Sequence, residues 1–193
     1  MIHPTAEIER GARIGANTRI WHYAHIRSGA VIGADCNLGH SVYVDTDAVI
    51  GNNVKLQNRV SIYRGVTLED GVFVGPHASF TNDRYPRAIT RDGAPILDED
   101  WTPETTLVRY GASIGAGAII LSGLTIGSWA MVGAGALVRD DVPDHGLVVG
   151  TPARLIGYAC RCGHPLRQDG ASWHCSNCGD SYELPPLPES RHD

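Results

Sequence analysis

One recurrence dominates this chain: a large apolar residue at every sixth position. Ile2, Ile8, Ile14, Ile20, Ile26, Ile32, Leu38, Val44, Ile50, Leu56, Ile62, Leu68, Val74 and Phe80 follow one another without a slip. The count resumes at Val108, Ile114, Ile120, Ile126, Val132 and Val138. Four residues after each of these anchors stands a smaller or branched residue, among them Ala24, Cys36, Val54, Ala78, Ala118 and Ala136. A period of six matches neither the 3.6 of a helix nor the alternation of a single strand. It predicts an all-β solenoid in which each hexad is one short strand plus a corner and three hexads close a coil. Anchor and fourth residue then point inward, and no coil can bury its face without neighbours. Glycine often follows the anchor, as at Gly15, Gly75 and Gly115, which predicts corners with positive φ.

This pattern decides how the uncharged stretch from Tyr110 to Val138 is read. Its length and apolarity suit a membrane-spanning helix. It keeps the phase of a repeat that begins at residue 2, where charges are plentiful, so it is read as solenoid and not as a span. Net charge is −5 with no run of basic residues, which argues against nucleic-acid binding. The N-terminus carries no positive segment followed by an apolar core, so no secretory leader is read and a cytoplasmic location is expected.

The repeat is interrupted once. Residues 81–107, "TNDRYPRAITRDGAPILDEDWTPETTL", carry three prolines, many charges and no hexads. A loop of this length leaving a rigid scaffold is a candidate binding element. Stacking in eighteens puts His22, His40 and Asn58 in one column, and Thr46, Arg64 and Asn82 in another beside the loop's exit.

Beyond Gly157 a second pattern begins. Cys160, Cys162, Cys175 and Cys178 form two close pairs, each followed by glycine. Four cysteines so spaced resemble a zinc ribbon, a structural site with no open position for catalysis. The expected organisation is 1–158 solenoid with the loop 81–107 inserted, 159–183 zinc-binding segment, and 184–193 a proline-rich unstructured tail.

The hexads together with "VGAGALVRDDVPDHGLVVGTPAR" resemble the left-handed β-helix acyltransferases. More narrowly, "IWHYAHI", "SFTNDRYPRA" and "LVRYGASIGA" are similar to the nucleotide-sugar 3-amino N-acetyltransferases. The resemblance implies left-handed coils, where the general crossover preference alone predicts right-handed ones. It further implies a homotrimer, acetyl-CoA in the groove between subunits, and a UDP- or dTDP-linked amino sugar beside the loop. It gives Asn82 a place near the reacting amine and acetyl group, and Asp83, Arg87, Gln57 and Tyr63 places on the nucleotide-sugar side. Ala118, Ala136, Arg139, Pro152 and Arg154 fall in the stretch that resembles the coenzyme groove.

Acetyl transfer to an amine needs a neutral amine, a stabilised oxyanion and an outlet for a proton. Asn82 offers both donor and acceptor. His77 and His40 are the candidate bases near the loop, although the coenzyme thiolate can take that role itself. No Cys or Ser stands in a nucleophile–base arrangement, so direct transfer is expected. Two alternatives stay open: an O-acetyltransferase of the same fold with a catalytic histidine, and a non-catalytic or carbonic-anhydrase-like solenoid using a histidine trio.

Overall fold

The structure is a computed structural model that describes residues 1–97 and 100–188. No α-helix occurs among the described residues, and none is long and apolar enough to cross a membrane. The chain winds into a solenoid of two- and three-residue strands on three parallel faces. The first face stacks Glu7–Ile8, His25–Ile26, Tyr43–Val44, Ser61–Ile62, Ser79–Phe80, Ile119–Ile120 and Leu137–Val138. The second carries Arg13–Ile14, Val31–Ile32, Val49–Ile50, Val66–Leu68, Thr106–Val108 and Thr125–Ile126. The third runs from Arg19–Ile20 through Asn37–Leu38, Lys55–Leu56, Phe73–Val74, Ser113–Ile114 and Met131–Val132 to Gly146–Gly150. The uncharged stretch therefore forms five of these strands.

Register follows the hexads. Ile8 pairs with Ile26, Ile32 with Ile50 and Leu38 with Leu56, each eighteen residues on. Across the interruption Leu68 pairs with Val108 and Val74 with Ile114, forty residues on. The excess over eighteen is 22 residues, which leave and rejoin the coil without disturbing its phase. Anchors and fourth residues fill the prism: Ile26, Leu38, Leu56, Ile62, Phe80, Ile114 and Ile120 are fully buried, as are Ala24, Ala78 and Ala118. Each large aliphatic contributes on the order of 1.5–3 kcal/mol by leaving water. The N-terminal edge is incompletely covered, with Ile8 and Ile14 only partly buried.

The structure corrects the expected role of glycine. Residues with positive φ sit three places after the anchor and are often not glycine: Asp35, Ser41, Asn53, Arg59, His77 and Trp129 all have φ between 54° and 60° or just above. Such backbone is costly for residues with a Cβ. Here each N–H donates to the carbonyl one coil below: Asp35 to Ala16, Ser41 to His22, Arg59 to His40 and Trp129 to Tyr110 at 2.8–2.9 Å, with His77 to Asn58 at 3.0 Å. The glycines directly after the anchor serve close approach instead. A Cβ on Gly115 would lie 2.4 Å from the Ala134 nitrogen, and one on Gly75 2.6 Å from that of Ala116.

The three corners are not equivalent. The backbone bonds just described belong to the corners leading into and out of the third face. At the corner between the first and second faces, Gly29, Asp47 and Gly65 also have positions three after an anchor, yet their N–H groups make no such bond among the described residues. Side chains take over there. Glu9 accepts from the Ser28 N–H at 2.9 Å, and Asp45 accepts from the N–H groups of Thr46 at 2.8 Å and Arg64 at 3.3 Å. The long loop leaves from this corner, where no backbone ladder has to be broken.

At the C-terminal edge Gly146–Gly150 turns back antiparallel onto Ala153–Tyr158, and the chain continues into a three-stranded antiparallel sheet of Arg167–Asp169, Ser172–His174 and Ser181–Tyr182. Tyr158, Leu166 and Trp173 form a second small core. Leu184 and Leu187 pack on it, so the stretch expected to be unstructured is anchored at least to Leu187; residues 189–193 lie outside the described residues.

Burial alternates within the two- and three-residue strands of the solenoid, and stability should follow it. Leu56→Ala, in the prism, is expected to lose about 2–5 kcal/mol in urea unfolding, whereas Lys55→Ala, its exposed neighbour, should stay within about 0.5 kcal/mol of the parent.

Candidate functional site

The loop begins and ends at one slot of the solenoid. Asn82 stands two residues after the anchor Phe80, and Glu104 stands four before the anchor Val108; in an uninterrupted hexad these are the same position. The Glu104 N–H donates to the Asn82 carbonyl at 3.3 Å and closes the neck. The Glu104 carboxylate reaches toward the next coil, where Oε2 accepts from the buried Ser122 hydroxyl at 2.9 Å. The Thr81 hydroxyl, at the loop's start, is buried without a partner among the described residues. Within the loop, Asp83 accepts from the Tyr85 N–H at 2.9 Å, and Arg87 is exposed with its guanidinium on the Pro86 carbonyl at 3.0 Å. A turn at Thr90–Gly93 carries the Ile89–Pro95 bridge. Tyr63 sits at the same corner, tilted against Tyr43 at 5.8 Å.

His77 and Gln57 stand elsewhere. Both belong to the corner between the third and first faces, and the flat strand Ser79–Phe80 separates His77 from Asn82. At ~3.3 Å per extended residue that separation is on the order of 15 Å. Within one chain the structure thus does not bring the expected base to Asn82, nor Gln57 to Tyr63. His77 is exposed and occupies a positive-φ turn. Gln57 lines an open cleft of about 320 Å³ with Trp21, His22, Asn37, His40 and Asn58. There the Trp21 indole N–H donates to Asn37 at 2.8 Å, His22 stacks on His3 at 3.5 Å, and Asn58 takes the His40 N–H at 2.9 Å. Because Asn58 occupies the third place of that column and is bonded to backbone, a histidine trio does not form along it.

Of the residues expected at a coenzyme groove, Ala118 and Ala136 point their side chains into the prism. Their carbonyls already accept from Ser79 and Ile119. Arg139 and Arg154 share a cavity of about 160 Å³ with Asp141, Val142, Pro143 and Leu155. Arg139 is paired with Asp140 at 3.4 Å, and Pro152 follows a cis peptide bond at the reversal.

The four tail cysteines do converge. Their Sγ atoms all lie within 4.8 Å of one another, with Cys160–Cys178 at 3.4 Å and Cys162–Cys175 at 3.5 Å. These separations are far beyond the ~2.05 Å of a disulfide. They suit four thiolates around one ion at ~2.3 Å each. The His164 N–H lowers the pKa of Cys162. Cys178 receives a similar bond from the Asp180 N–H, yet its sulfur neighbours push it up to about 12. Crowded sulfurs cannot all ionise without a cation among them. This donor set fits a metal ion, and the ribbon that carries it is docked on the solenoid. His145 donates through Nδ1 to the Ala159 carbonyl at 2.8 Å and lies 4.8 Å from the Tyr182 ring, whose hydroxyl is 3.2 Å from Cys160 Sγ.

A six-residue repeat closing a three-faced parallel coil defines a hexapeptide-repeat solenoid. The family model for bacterial transferase hexapeptide (six repeats) matches residues 1–46 and 47–82, about two fifths of the chain. It is similar to the dTDP-3-amino-3,6-dideoxy-alpha-D-galactopyranose 3-N-acetyltransferase of Aneurinibacillus thermoaerophilus, 46% identical over 78 residues, covering 40% of each chain. It is also similar to the serine acetyltransferase of Escherichia coli (strain K12), 36% identical over 107 residues, 54% of this chain and 38% of the relative. The chain thus spans about two fifths of these relatives' lengths. Among solved structures, a mutant GDP-perosamine N-acetyl transferase from Caulobacter crescentus, in complex with CoA and GDP-perosamine, superposes with a TM-score of 0.52 at 23% identity. That match covers 81% of this chain and 55% of that one and reflects the fold.

Glu104 was missed in the sequence because it lies inside the irregular stretch. The signal was available: counting back four from Val108 puts it in the column of Arg64 and Ser122.

Metal analysis of the purified protein should find one ion per chain. Cys175→Ser should lose it, while Cys36→Ala, a change inside the prism, should retain it.

Proposed function

We propose that the protein is an acetyl-CoA-dependent N-acetyltransferase acting on the 3-amino group of a nucleotide-linked sugar, UDP- or dTDP-linked. The observation that carries this reading is the loop neck. Asn82, in "FTND", stands with a side-chain amide that has no partner among the described residues, beside the one excursion from the solenoid, in a chain that is similar over 78 residues to a dTDP-amino-sugar 3-N-acetyltransferase. In this role Asn82 orients the amine or donates to the tetrahedral oxyanion. The amine attacks the thioester carbon directly, the C–S bond breaks, and the departing thiolate accepts the proton that the new amide sheds. No covalent enzyme intermediate is needed. Asp83, Arg87 and Tyr63 then contact the nucleotide sugar from the loop's corner.

A homotrimer completes the site in this reading. Gln57 and His77 stand on a different corner from Asn82, so a second copy is what brings the two sets together, with acetyl-CoA in the groove between copies. Ala118 and Ala136, whose side chains fill the prism, offer that groove only the backbone of their coils, and Arg139, Pro152 and Arg154 meet the coenzyme's charged end. The ion held by Cys160, Cys162, Cys175 and Cys178 is zinc in a structural role, since four thiolates fill a tetrahedral shell. The enzyme works in the cytoplasm, where acetyl-CoA is at hand, in a pathway making surface polysaccharide or a glycosylated metabolite.

Incubation with acetyl-CoA and a panel of UDP- and dTDP-linked 3-amino sugars should yield the acetylated nucleotide sugar by mass spectrometry. Asn82→Ala should lower kcat by about 10²–10³-fold. No product from any member of the panel overturns the reading.

The similarity to a serine acetyltransferase favours a second reading, transfer to a hydroxyl with a histidine base. In that case His77→Ala or His40→Ala should abolish turnover, whereas under the amine reading at least a tenth or so of the activity should survive each change.

A further inference from the structure

The acidic side chains at the loop's corner have structural partners, with one exception. Glu9 caps the Ser28 N–H and pairs with Arg27 at 2.7 Å. Asp45 holds the Thr46 and Arg64 N–H groups, Asp83 that of Tyr85, and Asp141 that of Thr125 at 2.7 Å. Asp47 and Asp140 face Arg64 and Arg139. Among the described residues Glu104 has neither a backbone N–H nor a cation; Asp92 shares this lack but is exposed at the loop's turn, whereas Glu104 is half-buried. Its Oε2 takes one neutral hydroxyl bond from Ser122, and Oε1 has no partner. A partly buried carboxylate left this way is costly unless something positive completes it.

The corner is shaped to hold that carboxylate. Gly123 has φ +78°, and a Cβ built on it would lie 2.7 Å from Glu104 Oε2. A side chain there would displace the acid. The neck bond between the backbones of Glu104 and Asn82 fixes the two residues in one slot at the mouth of the loop, and among the described residues neither Glu104 Oε1 nor the Asn82 amide head has a hydrogen-bond partner.

Resting on the proposed function, we infer that Glu104 binds the acceptor's amino group and sets the preference for an amine over a hydroxyl. At neutral pH the amine arrives protonated. The Glu104 carboxylate receives it through a charge-assisted hydrogen bond, with Asn82 as its neighbour, while Ser122 holds the other oxygen. A hydroxyl offers one proton and no charge, so it gains less. The role is in binding: the bound ammonium loses its first proton to solvent before it attacks, the departing thiolate takes the second, and Glu104 takes neither.

The test compares the wild-type enzyme with Glu104→Gln, which keeps an oxygen for Ser122 and the shape of the neck while removing the charge. The probes are dTDP-3-amino-3,6-dideoxy-α-D-galactose and its 3-hydroxy counterpart. Charge-assisted bonds are worth roughly 10–100-fold. KM for the amino sugar should therefore rise at least ~10-fold in the variant, with KM for acetyl-CoA and inhibition by the hydroxy sugar within about twofold. An unchanged KM for the amino sugar, or a parallel loss for both sugars, overturns the assignment. Should the variant not fold, the wild type decides alone: the amino sugar must bind more tightly than the hydroxy sugar at neutral pH, and equal affinities refute it. Absence of wild-type turnover on every amino sugar overturns the proposed function, and this inference with it; turnover with an unaltered KM in the variant overturns only the inference.

Discussion

Everything in this molecule depends on the stacking of one coil on the next at a spacing of eighteen residues. A two-residue strand cannot persist alone, and here each is held by parallel neighbours above and below and by an anchor packed on the anchor of the adjacent coil. The same stacking lets Asp35, Ser41, Arg59 and Trp129 adopt left-handed backbone, because each gains a bond to the coil beneath. It also forces glycine where coil backbones nearly touch, as at Gly115. Strain and close approach are both consequences of keeping the anchors in register.

The place of the inserted loop follows from where that stacking is weakest in backbone bonds. Two corners are tied coil to coil through main chain, while the third relies on the side chains of Glu9, Asp45 and Asp141. An excursion at the third corner costs the solenoid no backbone ladder, and the short neck between Asn82 and Glu104 isolates it from the fold. Coils on either side then hold the two ends of the loop in one slot while the loop tip stays exposed. This division between a scaffold that cannot move and a segment free to vary is what a specific binding site on a repeat protein needs.

The C-terminal segment solves a different problem. An open solenoid ends in an unpaired edge that invites further strands. Here the edge is folded over by Ala153–Tyr158 and then covered by the ribbon, through Tyr158 against Trp173 and His145 against Tyr182. With an ion bound among them, the four sulfurs would supply the staple that so small a core needs.

Periodicity alone determined a great deal. The inward set, the three-strand coil, the interruption after Phe80 and the four converging cysteines can all be read from spacing, because burial repeats locally and each hexad carries its own instruction. What the tertiary structure decided are relations between distant residues. Which corner carries the loop, why glycine follows some anchors, and the separation of His77 from Asn82 depend on how corners stack. Counting hexads puts Asn82 and Glu104 at the same position of the repeat, but that their backbones close on each other across the 22-residue excursion is decided by the fold. Spacing fixes what points inward; only the closed prism fixes which polar groups on its outside become neighbours.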